Sequence, residues 1–467
     1  MRKTKIICTI GPATDSYPML EKLAVAGMDV VRLNMSHGKH DASAEVIKSI
    51  RTLNRKRPTP IAVLLDTQGP EIRTGDLARD LELKNGSRIT ISVRPDVDVE
   101  QSSIHINYDE LIDTVDVGDR ITVDNGIINF EVLSKNDNGT MDCKVIDGGI
   151  LKSKRHVNLP GIRVNLPAIT KKDREDILFG IEQQVDFIAL SFVREADDIR
   201  ELKELMGDKV GKIKIIAKIE DQSGVQNLEE ILDEADGIMV ARGDLGVEIN
   251  VAELPNVQRR IVQLCAERGK RVIVATHLLE SMIDNPIPTR AEVTDVANAI
   301  YEEVDAVMLS GETTVGKYPV RCVEQLGEIA EATEAATGLG FTDNLIASSD
   351  KQNLAISAVQ LAESLDAQGI VVITRRGYMA DYVTNCHPHK TRIYAFTNDS
   401  QTRRRLILNR NLTPYRTAFS SDPEKTLQTA FEVLLDRAGL QSGDKVVVIS
   451  DVLAGSGIEA IQVRHLP

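Results

Sequence analysis

At 467 residues the chain exceeds what one hydrophobic core supports, and at about 150 residues per domain it divides into roughly three. A formal charge of -14, no Trp and only 3% aromatic residues exclude a nucleic-acid scaffold built on basic faces or stacking platforms. A composition that is 42% apolar and 27% charged, without low-complexity tracts, excludes a disordered chain.

The chain opens on Met1-Arg2-Lys3-Thr4-Lys5, and the apolar stretch that follows is broken by Thr9, Gly11 and Pro12, too early for a signal peptide. No apolar run is long enough to cross a bilayer. The cysteines, Cys8, Cys143, Cys265, Cys322 and Cys386, are scattered and odd in number, which predicts free thiols in a reducing compartment. The expected location is the cytoplasm, with neither nucleic acid nor membrane as partner.

Short apolar runs of the buried-strand type then recur, most followed by a helix-period segment. The first three are Lys5 to Thr9, Val30 to Asn34 and Ile61 to Asp66. Five more are Phe187 to Ser191, Ile213 to Lys218, Gly237 to Ala241, Arg271 to Thr276 and Ala306 to Ser310. Eight βα units are the number that closes a parallel (β/α)8 TIM barrel. Thr170 with Asp173 predicts a capping box, and Pro255 and Gly269 bracket a helix.

Successive runs lie about 25 to 35 residues apart, except that roughly 120 residues separate Asp66 from Phe187, too many for a loop. Residues 70–167 lack helical period but alternate as strands at Arg88–Val93 and Ile127–Val132, with turn signals at Asn85-Gly86, Asn125-Gly126 and Asn138-Gly139. They are expected to form a small all-β lid domain at the carboxyl end of strand three, splitting the barrel domain into 1–69 and 168–340. A Gly, Ser, Asn and Asp-rich linker follows at Gly338 to Lys351. Beyond it, 345–467 reads as an open α/β domain with strands at Gly369–Thr374, Arg392–Phe396 and Lys445–Ser450.

Chemistry-bearing residues gather where the barrel strands end. Glu220 and Asp244, from adjacent strands, suit Mg²⁺, which takes one or two carboxylates beside water and substrate oxygens; two solvated loop carboxylates fit the spacing equally. Lys218 lies within Ile215-Ile216-Ala217-Lys218-Ile219, where an unpaired ammonium is costly, so it needs a phosphate or a carboxylate partner. In Arg242-Gly243-Asp244-Leu245-Gly246 the glycines let backbone N–H groups approach an anion. Arg32 presents a planar fork for phosphate beside Asn34, Ser36 and His37, and strand three ends in Asp66, Thr67, Gln68, Gly69, Pro70, Glu71 and Arg73. This oxygen-rich face suits hard cations, and no Walker loop is present. The residues alone describe a phosphate-handling barrel enzyme with a lid; a metal-dependent barrel lyase or aldolase acting on 2-oxo acids has a similar carboxylate pair.

Thr4-Lys5-Ile6-Ile7-Cys8-Thr9-Ile10-Gly11-Pro12-Ala13-Thr14 followed by Arg32-Leu33-Asn34-Met35-Ser36-His37-Gly38 closely resembles the opening of pyruvate kinases. The resemblance continues through Asp66-Thr67, Gly69 to Arg73, Lys218-Ile219-Glu220, Met239 to Gly246 and Met308 to Thr313, in order over nearly the whole chain. It implies phosphoryl transfer from phosphoenolpyruvate to ADP, dependent on Mg²⁺ (or Mn²⁺) and K⁺, in a homotetramer. Residue by residue, it implies that Glu220 and Asp244 hold the divalent metal, Lys218 stabilises the transferring phosphoryl group and Arg32 contacts phosphate. Asn34, Ser36, Asp66 and Thr67 would ligate K⁺, and Glu71 accompanies dependence on that ion. Thr276 would lie near the enolate, Gly243 and Asp244 would receive the substrate carboxylate, and Arg73 and Lys172 would meet the nucleotide.

Three positions depart from the family pattern: Gln68 stands where Lys is usual, His277 where Gln is usual, and Thr374-Arg375-Arg376-Gly377-Tyr378 replaces a Ser/Thr/Gly-rich effector loop. Thr374, Arg375 and Arg376 remain candidates for a sugar-phosphate effector, opposed by the carboxylate in Gly455-Ser456-Gly457-Ile458-Glu459.

Overall fold

The computed structural model describes residues 2–93, 103–136, 139–162, 164–450 and 460–467; Asn138 and the segment from Gly455 to Glu459 lie outside the described residues. Eight parallel strands close into a barrel. In chain order they are Lys5–Thr9, Val30–Asn34, Ala62–Asp66, Phe187–Leu190, Lys214–Ile219, Gly237–Ala241, Arg271–Ala275 and Ala306–Leu309. Each lies beside its sequence neighbours, and the first pairs with the eighth, Lys5 opposite Ala306.

These strands are buried on both faces, which is why their sequences run apolar instead of alternating. Ile7, Leu64, Ile216, Met239, Ile273 and Met308 fill the interior. Ile6, Val31, Leu65, Ile188 and Val274 point outward to the surrounding helices. Strands three to five and seven to eight differ by a residue at one or both ends from their expected bounds. Ser191, Thr276 and Ser310 have already turned out of the sheet, and these turns open the site.

The helices begin and end on local chemistry. Thr170 and Asp173 form a reciprocal capping box on Lys171–Glu182. Leu254–Arg268 carries Pro255 in its first turn and stops at Gly269, whose φ of 65° suits a residue without Cβ.

Between strands three and four lies a six-stranded sheet with its own core, in the order Val157–Asn158, Arg120–Val123, Ile128–Asn136, Thr140–Asp147, Arg88–Ser92 and Ser103–His105. Phe130, Ile91 and Met141 are fully buried in that core. A two-stranded ribbon, Leu81–Leu83 with Gly149–Leu151, accompanies it.

The C-terminal sheet is ordered Leu412–Arg416, Arg392–Thr397, Gly369–Ile373, Lys445–Ser450 and Ala460–His465, parallel except for the last pair. Two of these five strands escape a sequence reading, and both are edges. Leu412–Arg416 carries Pro414, which an edge tolerates because its outer N–H has no ladder partner to lose.

The turn Leu406–Leu408 from this domain pushes Ile407 and Leu408 into the interior cluster at the amino-terminal end of the barrel. Around this plug Lys5 Nζ donates to Leu412 O (2.7 Å), Arg404 Nε meets Asp186 (2.8 Å) and the Asn411 N–H donates to Lys3 O (3.0 Å). The Leu408→Ala substitution is expected to cost about 2–5 kcal/mol, because the floor cannot collapse onto the lost volume. Thermal melting followed by circular dichroism measures it.

Candidate active site

At the carboxyl end of the barrel, Lys218 is the hub. Its ammonium donates to Ser191 Oγ (2.6 Å) and lies 3.1 Å from Asp66 Oδ1 and 3.0 Å from Glu220 Oε1. Burial alone would drive the proton off; the two carboxylates more than offset it, and the group is held well above the ordinary lysine range. The required carboxylate partners are therefore present, and Lys218 is a fixed cation.

Asp66 is fully buried and divides its oxygens between two cations, Lys218 through Oδ1 and the Arg32 Nε through Oδ2 (2.5 Å). Burial pushes its carboxyl up, but Arg32 and Lys218 pull harder and hold it below the ordinary value. Register explains the meeting: Asn34 lies opposite Asp66, so Arg32, two residues earlier, points to the same side of the sheet. The Arg32 Nη1 also donates to Thr9 Oγ1 (3.0 Å).

Glu220 follows strand five and Asp244 lies in the first turn of the helix Arg242–Glu248. Glu220 accepts the Phe192 N–H (2.6 Å). Burial, together with the nearby charge of Asp244 and only partly offset by Lys218, raises its carboxyl to about 7. Glu220, whose charge is disfavoured by burial and by the neighbouring Asp244, forms with that residue a donor set suited to a divalent cation. No group of three or more His, Cys, Asp or Glu that could hold a metal ion occurs among the described residues.

The residues read for a monovalent ion also collect here. Asn34 Oδ1 accepts the Ser36 N–H (3.2 Å), Thr67 Oγ1 accepts the Ser191 N–H (3.0 Å), and Thr67 O accepts from Ser191 Oγ (2.7 Å). Asp66, the carboxylate among them, is engaged by Arg32 and Lys218. His37 is exposed and has no role in this network.

Strands six and seven meet through Thr276, whose Oγ1 accepts the Gly243 N–H (2.7 Å) and donates to Ala275 O (2.6 Å). Arg242 does not face the anion site. Its guanidinium grips Asp295 through both terminal nitrogens (2.7 Å each) and donates to Thr276 O (2.7 Å).

On the outer rim, the Gln68 Nε2 donates to Glu71 Oε2 (3.1 Å), and Arg73 Nε pairs with the same oxygen (2.7 Å). Burial would raise Glu71, but the bond from Arg73 holds it below the ordinary value. Lys172 pairs with Asp176 (2.6 Å) and donates to Met35 O (2.5 Å). Gln68, Glu71 and Lys172 line one open cleft of about 280 Å³.

From the inserted sheet, the His156 Nδ1 comes within 3.8 Å of Asp244 Oδ1, with its ring tilted over Phe192. A second cavity of about 280 Å³ lies beside the chemistry, walled by Asn158, Leu159, Arg194, Asp221 and Glu248. Burial raises Glu248 from 4.5 to about 7; the bond from Asn158 (2.6 Å) opposes the shift, and Asp221 and Asp244 add to it. A carboxylate raised in the folded state contributes stability that is complete below pH 4.5 and is lost as the pH rises through 7. Glu248→Gln is therefore expected to melt above the parent at pH 8, by on the order of 1–3 kcal/mol, and level with it at pH 4. Calorimetry in chelator checks this.

In the C-terminal domain Thr374 is buried, and its Oγ1 accepts the Gly377 N–H (3.1 Å), shaping the loop ahead of the helix Tyr378–Asn385. Arg375 and Arg376 are exposed there, far in the chain from the barrel residues.

Sequence reading missed Ser191, Phe192, His156 and Asp295. Ser191 had a usable signal, since it directly follows a strand whose carboxyl end faces the site. Asp295 had none: it sits mid-helix in Arg290–Tyr301.

Two family models match the chain: pyruvate kinase, barrel domain, over residues 1–323, and pyruvate kinase, alpha/beta domain, over residues 352–463. The chain is 44% identical to the pyruvate kinase of Geobacillus stearothermophilus, over 97% of this chain and 78% of the relative. It is 42% identical to plastidial pyruvate kinase 2 of Arabidopsis thaliana, over 100% of this chain and 81% of the relative. A pyruvate kinase of Staphylococcus aureus is 41% identical over 97% of this chain and 78% of its own length.

Proposed function

The chain belongs to the pyruvate kinase family, whose reaction moves the phosphoryl group of phosphoenolpyruvate to ADP and yields pyruvate and ATP; from that premise we propose that Lys218, Arg32, Glu220 and Asp244 carry the transfer. The observation that carries this reading is the buried Lys218 ammonium, held charged by Asp66 and Glu220. A cation fixed in a poorly solvated site acts on the charge of a moving phosphoryl group without reorganising during the step. The Arg32 fork, steadied by Asp66, binds the phosphate oxygens from the neighbouring strands.

Family membership makes the activity metal-dependent. Glu220 and Asp244 would hold Mg²⁺ (or Mn²⁺), while Asn34, Ser36, Asp66 and Thr67 would hold K⁺; bound there, these ions neutralise charge as the phosphoryl group moves. Glu71 accompanies the K⁺ dependence. Gly243 and Asp244 receive the substrate carboxylate, and Arg73 and Lys172 guide the nucleotide phosphates. Thr276 lies where the enolate takes its proton. Residues 70–167 act as the lid, supported by the reach of His156 toward Asp244 and of Asn158 to Glu248.

Regulation by a sugar phosphate at Thr374, Arg375 and Arg376 is part of the same proposal, as are a homotetramer, which rests on the family resemblance, and a cytoplasmic location, which rests on five unpaired cysteines. Among the described residues no helix is long and apolar enough to cross a membrane. The test is pyruvate formation from phosphoenolpyruvate with ADP and K⁺ each present or omitted, repeated across a panel of sugar phosphates. Loss of turnover without ADP supports kinase chemistry. Pyruvate release that ignores ADP would return the reading to a lyase.

A further inference from the structure

Thr276 and His277 both have left-handed backbone, at φ 69° and 54°. A β-branched residue rarely adopts this region, and it persists only where the surroundings over-determine it. The restraint is visible on both sides of Thr276. The Gly243 N–H donates to its hydroxyl (2.7 Å), while the neighbouring Arg242 holds the backbone, donating from Nη2 to Thr276 O (2.7 Å) and His277 O (3.3 Å). Arg242 is itself fixed by a two-pronged pair with Asp295, both contacts at 2.7 Å. The first two residues of the helix after strand six thus grip the turn after strand seven, and the helix Arg290–Tyr301 supplies the anchor.

We infer that Arg242 and Asp295 are positioning residues that hold the Thr276 hydroxyl in the orientation needed at the enolate. The inference rests on the reading of Thr276 given above. When the enolate collapses, its C–C π pair takes a proton from the Thr276–solvent relay and becomes the new C–H bond, while the oxygen becomes the ketone of pyruvate; water restores the hydroxyl proton. A hydroxyl already accepting from Gly243 and donating to Ala275 O has little freedom to find the carbon by itself. Its usefulness depends on where the backbone of Thr276 is held, and a small misplacement costs rate rather than binding.

Asp295→Asn keeps the shape and removes the charge that fixes the guanidinium; Arg242→Lys keeps the charge and removes the fork. The measurement is exchange of the pyruvate methyl protons with D2O, in the presence of Mg²⁺, K⁺ and ATP, followed by proton NMR alongside steady-state kinetics and thermal melting. Both variants are expected to slow exchange and kcat by about tenfold to a hundredfold, with the KM for phosphoenolpyruvate moved less than about threefold. Asp295→Glu, which retains a carboxylate for the fork, is expected to recover most of the exchange. The double variant Asp295→Asn/Thr276→Ala should be no slower than Thr276→Ala alone, a coupling that general loosening of the fold does not produce.

Exchange at the parent rate in Asp295→Asn, with exchange lost in Thr276→Ala, would overturn this inference and leave the reading of Thr276 standing. Parent-rate exchange in Thr276→Ala would overturn both. Equal loss in Asp295→Glu and Asp295→Asn with a raised KM would reduce the pair to a structural prop and also overturn it.

Discussion

Lys218→Met is expected to lower kcat by about a thousandfold or more while the barrel still forms. Removing a single preorganised donor from an electrostatic site commonly costs a factor of about 10² to 10³, and Lys218 is a full charge in a buried setting. Methionine matches the unbranched stem and fills the volume without the ammonium. The loss should fall on kcat, because the lysine acts most strongly on the charge distribution of the transferring group. Asp66 keeps Arg32 as a partner, whereas Glu220 loses its nearest cation, so its raised carboxyl should rise further. A coupled assay at saturating substrate, beside a melting curve, separates the two effects. Turnover within tenfold of the parent, with an intact fold, would remove Lys218 from the chemistry.

The second large effect belongs to the carboxylate pair. In Glu220→Gln the amide oxygen can still accept the Phe192 N–H, but the NH2 must then face the Lys218 ammonium, which sits 3.0 Å from Oε1 in the parent. The site loses an anionic ligand and gains a donor where an acceptor stood. We expect kcat to fall about a hundredfold and the half-saturating concentration of Mg²⁺ to rise at least about tenfold. The measurement is a titration of activity with Mg²⁺ and, separately, with Mn²⁺. An unchanged metal requirement in an otherwise slow enzyme would count against Glu220 as a ligand.

Much of the framework is legible in the sequence because the barrel strands are buried on both faces. Their apolar runs stand out, and each run points to a strand end where polar residues have a reason to be. That is how Arg32, Asp66 and Lys218 stand out as candidates, although their meeting depends on the closed barrel. What stayed hidden depends on contacts between distant segments. Nothing local marks Asp295 as the partner of Arg242, because the two lie 53 residues apart and meet only through the fold. The left-handed backbone of Thr276 contradicts local propensity, so no propensity argument finds it. Leu412–Arg416 stayed hidden for the opposite reason, since Pro414 argues against a strand and only its position at the sheet edge removes the objection.

The barrel floor carries a further consequence, for the chain as it emerges from the ribosome. Lys3 and Lys5, in the earliest part of the chain, bind the backbone of Asn411 and Leu412, and the interior is closed by Ile407 and Leu408. At about 5–20 residues per second, roughly 20–80 s of synthesis separate the first strand from the segment that seals it. During that interval all eight strands can assemble, yet the nascent barrel has an open apolar end. Arrival of Ile407 and Leu408, rather than closure of the last strand, is then the event that finishes the core.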